Sequence, residues 1–273
     1  TREETLTKRD KQFLFILLAW SLYFPGTALA QTSSKELSIN EIISRTVAAE
    51  KARKKISGRY TYLQHMTKEE LDEDDNPKET EKTVTRAVPR EGTQYNRLIK
   101  KNNKPLAGDD LEDEKEKERE FIEDLRKNKG KKKKEEGSFE FDEKFVAKYN
   151  FTLKGEQTLD SRPSYVVDYK PKSDDLKEED MADRFMNKTK GTHWIDKEDF
   201  IIAKANTKLI EPVKVFGGIA ASIKSMNFTI VMKKTGSEWF PSSVNQKISG
   251  RKLVSSFNTK VDVKFDSFEK KSD

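Results

Sequence analysis

Alternation of apolar and polar residues is the most regular feature of the last third of the chain. Every second residue from Met226 to Met232 is apolar, and the same period returns from Phe257 to Phe265 with Thr259 as its one polar member. Successive side chains of a β-strand point to opposite faces, so each segment predicts one apolar face and one charged face. This is typical of an antiparallel sheet that has one covered side and one side in water.

Shorter strand patterns occupy much of the remaining chain. A hairpin with a turn at Lys197-Glu-Asp199 is predicted within residues 191–207, and an acidic loop is predicted from Lys68 to Asn76. Further strands are predicted at residues 59–66, 83–88, 95–100, 149–157 and 164–170. Together these elements predict an α+β fold, namely an incomplete antiparallel β-barrel, or curved half-barrel sheet, with helices covering its concave face.

One helix has two independent start signals. Ser38-Ile-Asn-Glu41 is a capping box, and Gly58 is a stop signal. The apolar residues between them fall on one stripe: Ile39, Ile42, Ile43, Thr46 and Val47. A short helix with a single apolar stripe must pack on something, and the sheet is the expected partner.

Two segments differ from the rest by their density of charge. Residues 109–136 alternate Glu and Lys with few apolar anchors and include the run Lys131–Lys134, and residues 172–186 are again rich in charge. Both are predicted as charged helical insertions. For the lysine run, a hydrated basic loop is favoured over a polyanion-binding patch.

Residues 1–30 have the anatomy of a secretory signal peptide. A basic region precedes an apolar run from Phe13 to Phe24, Pro25-Gly26 breaks it, and Ala28-Leu-Ala30 supplies the small residues of a cleavage site. The apolar run is too short for a bilayer span, which needs about 20 residues. Cleavage is expected before Gln31, and residues 31–273 are expected to form a single domain.

The composition constrains the thickness of the core, the class of partner and the cellular compartment. Only 33% of residues are hydrophobic and 37% are charged, which favours a sheet with a wetted face over a thick core. The 54 basic and 48 acidic residues are intermixed, so no nucleic-acid partner is predicted. The chain has no cysteine, and for an exported protein this favours a bacterial periplasm over an extracellular space where small domains are disulfide-bonded.

No arrangement typical of catalysis is found in the sequence. The two histidines, His65 and His193, both lie in predicted strands and in no metal-ligand spacing, and no nucleophile or phosphate-loop motif occurs. Gly217-Gly218 is better explained as a bend. The sequence therefore predicts a protein that is not an enzyme and that needs no cofactor or metal.

Three short motifs resemble one known family. They are Thr192-His-Trp-Ile-Asp196 with the following turn and Phe200-Ile-Ile-Ala203, the segment Glu238-Trp-Phe-Pro241, and the closing strand from Asn258 to Phe268. They resemble the lipoprotein-carrier superfamily, which is LolA/LolB-like and includes proteins of the outer-membrane lipoprotein-sorting type. The resemblance implies a half-barrel that binds acyl chains between its sheet and its helices. The two charged insertions depart from that family's pattern.

The function predicted from this resemblance is a periplasmic carrier that binds acyl chains of lipoproteins or lipids for transfer to the outer membrane. The alternative is a non-enzymatic envelope sensor or interaction protein built on the same fold, with envelope membrane proteins as partners. A monomer is expected. The predicted lining of the acyl-chain cavity is Tyr60, Tyr62, Trp194, Met226, Phe228, Ile230, Val261 and Val263. For any one of these residues, the competing interpretation is an ordinary packed core.

Overall fold

The helices and strands follow the chain in a simple order. The computed structural model describes residues 36–57, 59–90, 93–127, 140–173, 176–178, 181–215, 221–253 and 255–270. The predicted signal peptide, Lys131–Lys134 and Gly217-Gly218 lie outside these residues. From Ser38 onward the described residues belong to one unit, and the single-domain boundary at residue 31 stays a prediction.

The elements are α1 (Ile39–Ser57), β1 (Tyr60–Leu71), β2 (Pro77–Arg90), β3 (Thr93–Lys101), β4 (Lys104–Pro105), α2 (Gly108–Lys127), α3 (Glu143–Lys148), β5 (Tyr149–Leu159), β6 (Arg162–Pro171), α4 (Met181–Met186), β7 (Thr189–Asp196), β8 (Ile202–Leu209), β9 (Val213–Val215), β10 (Ala221–Thr235), β11 (Glu238–Lys252) and β12 (Ser255–Lys270).

The described strands form one open sheet of twelve. Its order is β4-β3-β2-β1-β12-β11-β10-β8-β7-β6-β5, with β9 beside β10, and the paired strands are antiparallel. Within the described residues β4 and β5 are the two ends of this order and do not pair with each other, so the sheet is not closed. The predicted class, an α+β fold on an incomplete antiparallel barrel, is confirmed.

The N-terminal helix begins as its capping box predicts. The backbone N–H of Ser38 donates to Glu41 Oε2 at 2.9 Å, and the backbone N–H of Glu41 donates to Ser38 Oγ at 3.3 Å. Ile42, Ile43, Thr46 and Val47 of the predicted stripe are buried. The stripe is therefore the packing face of α1.

The first hairpin is longer than the sequence predicts. The acidic loop was expected from Lys68 to Asn76, but β1 continues to Leu71 and β2 begins at Pro77, so the loop holds only residues 72–76. Cross-strand ion pairs make charged residues compatible with a strand. One such pair joins Glu69 Oε2 to Lys260 Nζ at 3.2 Å.

The register defines two faces of the sheet. Residues directly opposite on neighbouring strands share a face, and the face that carries Ile230 is called the inner face here. Ile230 pairs with Ala205, which pairs with His193. Helix α1 packs on this face, because its Ala49 contacts the cluster of Ile201, Ala203, Met232 and Trp239. Helix α3 packs there too, through Phe145 against Tyr149 and Tyr169.

Helix α2, which forms most of the first predicted insertion, packs on the other side of the sheet. Tyr95 is opposite Val88, whereas the next residue, Ala87, is opposite Tyr62 of the inner face. Tyr95 therefore lies on the outer face, and its hydroxyl donates to Glu114 of α2 at 2.9 Å. Helix α2 therefore does not cover the inner face of β1–β3, on which Ala87 is fully buried and Tyr62 is partly exposed.

The second predicted insertion is helical only from Met181 to Met186 where it is described. Residues 172–173 and 176–178 are irregular, and the helix is only the short α4. This part is instead fixed by a buried charge: the carboxylate of Asp183 is fully buried and lies 3.0 Å from Lys144 Nζ and 2.7 Å from Lys148 Nζ of α3. An ion pair between two short helices is therefore found where one charged helical insertion was predicted.

The turn between β7 and β8 is held by a buried ionic network. Asp196 is fully buried, and Arg162 at the start of β6 binds both of its oxygens at 2.6 and 2.8 Å. The neighbouring Asp199 accepts hydrogen bonds from Trp239 Nε1 at 2.8 Å and from Lys234 Nζ at 2.7 Å. Burial alone would raise the pKa of Asp199, but these two donors outweigh it and lower that pKa. The network therefore joins β6, the β7–β8 turn, β10 and β11.

The two described tryptophans provide a matched test of this network. Trp239→Phe keeps an aromatic ring but removes a donor to Asp199 in a partly buried site, so we expect the free energy of unfolding to fall by at least about 1 kcal/mol. Trp194→Phe removes an indole donor to Gln157 at an exposed site and should cost less than about 0.5 kcal/mol. Urea denaturation measures both, and equal costs would show that the network is not a main source of stability.

Candidate functional site

A row of apolar residues crosses the inner face from β10 to β1. Ile230 is opposite Val244, Val244 is opposite Val263, and Val263 is opposite Met66. Each of these four side chains is partly exposed. In the next row Phe228 and Val261 flank Gln246. The apolar residues of these two rows are called the apolar surface: Ile230, Val244, Val263, Met66, Phe228 and Val261.

The apolar surface differs from the inner face of β6–β8 in how it is covered. On β6–β8 the inner face is buried: His193 lies against the rings of Phe141 and of Phe145 of α3, and Val167 and Ala205 are buried as well. The described helices make their main contacts with β3, β5, β9 and β11, and not with β12 or β1. Within the described residues the core therefore extends from β5–β8 to Met232 of β10 and Trp239 of β11, whereas Val244, Val263 and Met66 stay partly exposed.

A group of aromatic rings bounds the apolar surface at one end. Tyr60 and Phe240 have ring centroids 4.8 Å apart, Phe240 and Phe268 are 4.4 Å apart, and Tyr62 lies 5.1 Å from Phe268 and 6.0 Å from Phe265. Burial raises the pKa of Tyr62, while its hydroxyl donates to Gln94 Oε1 at 3.2 Å. The rings make this end of the surface apolar, and its two phenol hydroxyls belong to Tyr60 and Tyr62.

The structure brings seven of the eight predicted lining residues to one face. On β10 these residues are Met226, Phe228 and Ile230, and on β12 they are Val261 and Val263. On β1 they are Tyr60 and Tyr62, which share a face with Met66 because they lie at every second position from it. Their role in binding stays a prediction. Met226 is nearly buried, whereas the other six are partly exposed.

Trp194 is the residue that the structure separates from the others. It is opposite Lys204, which is opposite Val231, so it lies on the outer face. Its indole nitrogen donates to Gln157 at 2.7 Å, and Lys204 Nζ lies 4.6 Å from the ring centroid. In the same strand it is His193 and Ile195, not Trp194, that face inward.

One cavity of about 370 Å³ lies elsewhere, at the edge of the sheet. Its lining is Lys101, Asn102, Lys104, Pro105, Leu106, Ala107 and Asp110, at β4 and the start of α2. None of these residues is among the eight predicted ones. Its lining of charged and small side chains does not resemble an acyl-chain site.

The two histidines are far apart and differ in environment. His193 is buried between the ring of Tyr169, at 4.4 Å, and that of Phe141, at 5.3 Å. His65 is exposed on β1, with its Nε2 3.1 Å from Asp266 Oδ2, and four strands separate β1 from β7. Among the described residues no group of three or more His, Asp or Glu side chains is placed to hold a metal.

Sequence reasoning missed two contributors to the inner face. A Cβ on Gly191 would lie 1.9 Å from the Asn206 carbonyl oxygen and 2.8 Å from the Tyr169 hydroxyl, which is hydrogen-bonded to Thr207 at 2.6 Å across this glycine. An isolated glycine inside a strand pattern is a signal of such close approach. Val244 was missed because β11 carries too few apolar residues to show a clear alternation.

None of the described helices is both long enough and apolar enough to cross a membrane. No protein-family model matches the chain, and no curated protein does either.

Among solved structures, the fold is similar to a domain of the outer membrane lipoprotein-sorting type from Vibrio parahaemolyticus (12% identity, 84% of this chain and 94% of that one, TM-score 0.34). It is also similar to a LolA superfamily protein from Nitrosomonas europaea (10% identity, 82% and 94%, TM-score 0.27). A third similarity is to the MucA/MucB complex of Pseudomonas aeruginosa (7% identity, 83% and 100%, TM-score 0.23). The first two are of the kind that the sequence motifs resemble, but TM-scores of this size support no functional assignment.

The burial of His193 generates a prediction about pH. Burial lowers the pKa of His193 from its ordinary value of 6.5 to about 3. Between these two values the unfolded chain binds a proton that the folded chain does not, so stability falls as the pH falls. From pH 7.5 to pH 5 this histidine should remove about 2 kcal/mol from the free energy of unfolding.

Urea denaturation at the two pH values measures this effect. His193→Phe should lose about that much of the pH dependence, because the buried ring no longer titrates. His65→Ala, which keeps the buried ring, is the control and should retain it. The same pH dependence in His193→Phe as in the unmodified protein would contradict the prediction.

Proposed function

We propose that this chain is a periplasmic carrier that binds acyl chains of lipoproteins or lipids for transfer to the outer membrane. The observation that carries the proposal is the partly exposed apolar surface, in which Ile230, Val244, Val263 and Met66 are in register across four strands. Soluble proteins rarely leave a contiguous apolar patch accessible unless it binds something.

The geometry of the apolar surface suits a linear hydrocarbon. Four strands at a spacing of about 4.8 Å span roughly 14 Å. Burying a methylene group fully is worth about 0.8 kcal/mol, so ten methylenes laid across this row with roughly half of their surface covered would contribute about 4 kcal/mol before the entropic cost of binding. Such binding needs no polar recognition of the chain itself.

The cellular setting follows from the sequence. Residues 1–30 have the features of a secretory signal peptide, and the absence of cysteine favours the periplasm. Its partners in this proposal are therefore lipids or the acyl chains of lipoproteins, with envelope membrane proteins as donors or acceptors. The carrier acts as a monomer, without cofactor and without catalysis.

Analysis of co-purified lipid is the direct test. The protein is purified from a bacterial periplasm, extracted with organic solvent and examined by mass spectrometry, and we expect acyl-chain lipids in it. A lipid-free preparation that also fails to bind added fatty acid or lipoprotein would overturn the proposal.

Substitutions on β10 separate a binding surface from an ordinary core. Phe228→Ser places a hydroxyl on a partly exposed part of the inner face, where water can solvate it, so we expect a severe loss of acyl-chain affinity with a modest fall in the melting temperature of the ligand-free protein. In a packed core the same unpaired hydroxyl would cost about 1–3 kcal/mol. Fluorescent fatty-acid titration and thermal melting measure the two effects.

The neighbouring residue provides the control for this pair of measurements. Thr229 lies on the outer face, where its hydroxyl accepts a hydrogen bond from Asn206 at 2.9 Å. Thr229→Ala should leave acyl-chain affinity unchanged. If Phe228→Ser prevents folding, Phe228 belongs to the core and the binding surface does not include it.

A further inference from the structure

The hairpin between β11 and β12 has an unusual residue at its apex. Leu253 is 62% exposed and has a φ of 54°. This left-handed conformation costs a leucine about 1–2 kcal/mol and is ordinarily taken by Gly, Asn or Asp. Neither packing nor turn geometry accounts for a leucine at this place.

The apex stands well beyond the neighbouring strands. On β12, the pairing with β1 ends at Thr259, four residues after the strand begins at Ser255. On β10, the pairing with β8 ends at Asn227, six residues after the strand begins at Ala221. At about 3.4 Å per residue, the ends of β10, β11 and β12 extend roughly 14–20 Å past their last residues paired with β8 and β1. Among the described residues they are accompanied by the three-residue β9 and, at Asn258, by the β1–β2 loop.

The projecting end is uniformly basic. Its described residues 213–215, 221–225, 249–253 and 255–257 include Lys214, Lys224, Arg251 and Lys252 and no carboxylate. All four side chains belong to exposed residues, and within the described part of the chain none of them forms an ion pair. These four cations together with Leu253 are called the tip.

The cations at the base of the same strands behave differently. Lys247 Nζ lies 2.7 Å from Asp75 Oδ2, and Lys260 Nζ lies 3.2 Å from Glu69 Oε2. The chain as a whole has nearly balanced charges, with 54 basic and 48 acidic residues. Within the described residues, the four cations of the tip therefore differ from these two lysines in having no ion-pair partner.

We propose that the tip docks the protein on the surface of an anionic phospholipid membrane. Leu253 would enter the interface between headgroups and acyl chains, while the four cations contact phosphate groups. Charge complementarity selects an anionic surface. The composition favours a membrane over a protein, since a membrane interface accepts one apolar side chain among cations, whereas the core of a stable protein interface is depleted of charged residues.

This inference goes beyond the carrier function and does not depend on it. The apolar surface holds a cargo chain, whereas the tip sets which surface the protein approaches and by which end. The two can be separated because they share no residue: the tip lies at one end of β10–β12, and the apolar surface lies on the inner face at their middle.

Vesicle co-sedimentation tests the proposal. We expect the purified protein to bind vesicles of equal parts phosphatidylglycerol and phosphatidylcholine, to bind vesicles of phosphatidylcholine alone far more weakly, and to lose affinity as salt is added. The triple variant Lys224→Gln, Arg251→Gln, Lys252→Gln should bind the anionic vesicles on the order of 100-fold more weakly, because each basic residue near such a surface contributes about fivefold.

The matched control removes the same charge elsewhere. The triple variant Lys154→Gln, Lys233→Gln, Lys264→Gln changes three exposed lysines that form no ion pair within the described residues and lie outside the tip. Its binding should change by less than about fivefold. Equal losses in the two triple variants would overturn the proposal, since attraction would then follow net charge and not the tip.

Leu253→Ser tests the apolar part. Leu253 is exposed, so the variant should keep its melting temperature, while the vesicle binding that survives at high salt should disappear. Fatty-acid binding should be unchanged in all tip variants, so failure of the carrier function and failure of the docking tip give different results. Absence of binding to anionic vesicles by the unmodified protein would overturn the docking proposal, whatever its cargo binding.

Discussion

The carboxylate of Asp196 is the constraint on which the arrangement of the sheet depends. It is fully buried, it accepts two hydrogen bonds from Arg162, and its Oδ1 also accepts the backbone N–H groups of Glu198 and Asp199 at 3.0 and 2.8 Å. Leaving such a charge without its partner costs about 3–5 kcal/mol, so the turn and β6 must form together. Asp199 then accepts a hydrogen bond from Trp239 of β11, and β11 carries Val244 at the centre of the apolar surface.

This network explains why the motifs that resemble a known family point to a fold more clearly than to a ligand. Asp196 and Trp239 lie in two of those motifs, and in the structure they fasten the turn and β11 to the rest of the sheet. Trp194, from the same motif as Asp196, binds Gln157 on the outer face. A residue type can be required at such a position by framework contacts alone, so its presence carries little information about what the inner face binds.

Local patterns predicted the elements whose stability is local, and failed where partners distant in sequence decide. The capping box of Ser38 and Glu41 and the alternation along β10 and β12 act within a few residues, and both were found. The end of β1 was placed too early because Lys260 pairs with Glu69 across 191 positions. Of the charged insertion predicted at 172–186, Met181–Met186 is helical among the described residues, and its Asp183 is held by Lys144 and Lys148 of α3, which are distant in sequence. Which face Trp194 occupies depends on the β7–β8 register, which no motif reveals.

The division of the sheet into two halves is what makes a binding surface compatible with a stable fold in so charged a chain. The rings of Phe141 and of Phe145 of α3 pack on His193, and Val167 and Ala205 are buried on the same face, so burial on β5–β8 contributes to the driving force for folding. The α2 helix is tied to the outer face by Glu114 and Glu118 and does not compete for the inner face. Ile230 of β10 packs against the cluster of Ile201, Ala203, Met232 and Trp239, whereas Val263 of β12 and Met66 of β1 are held in position by strand pairing and are partly exposed. These partly exposed side chains are therefore accessible to an apolar molecule.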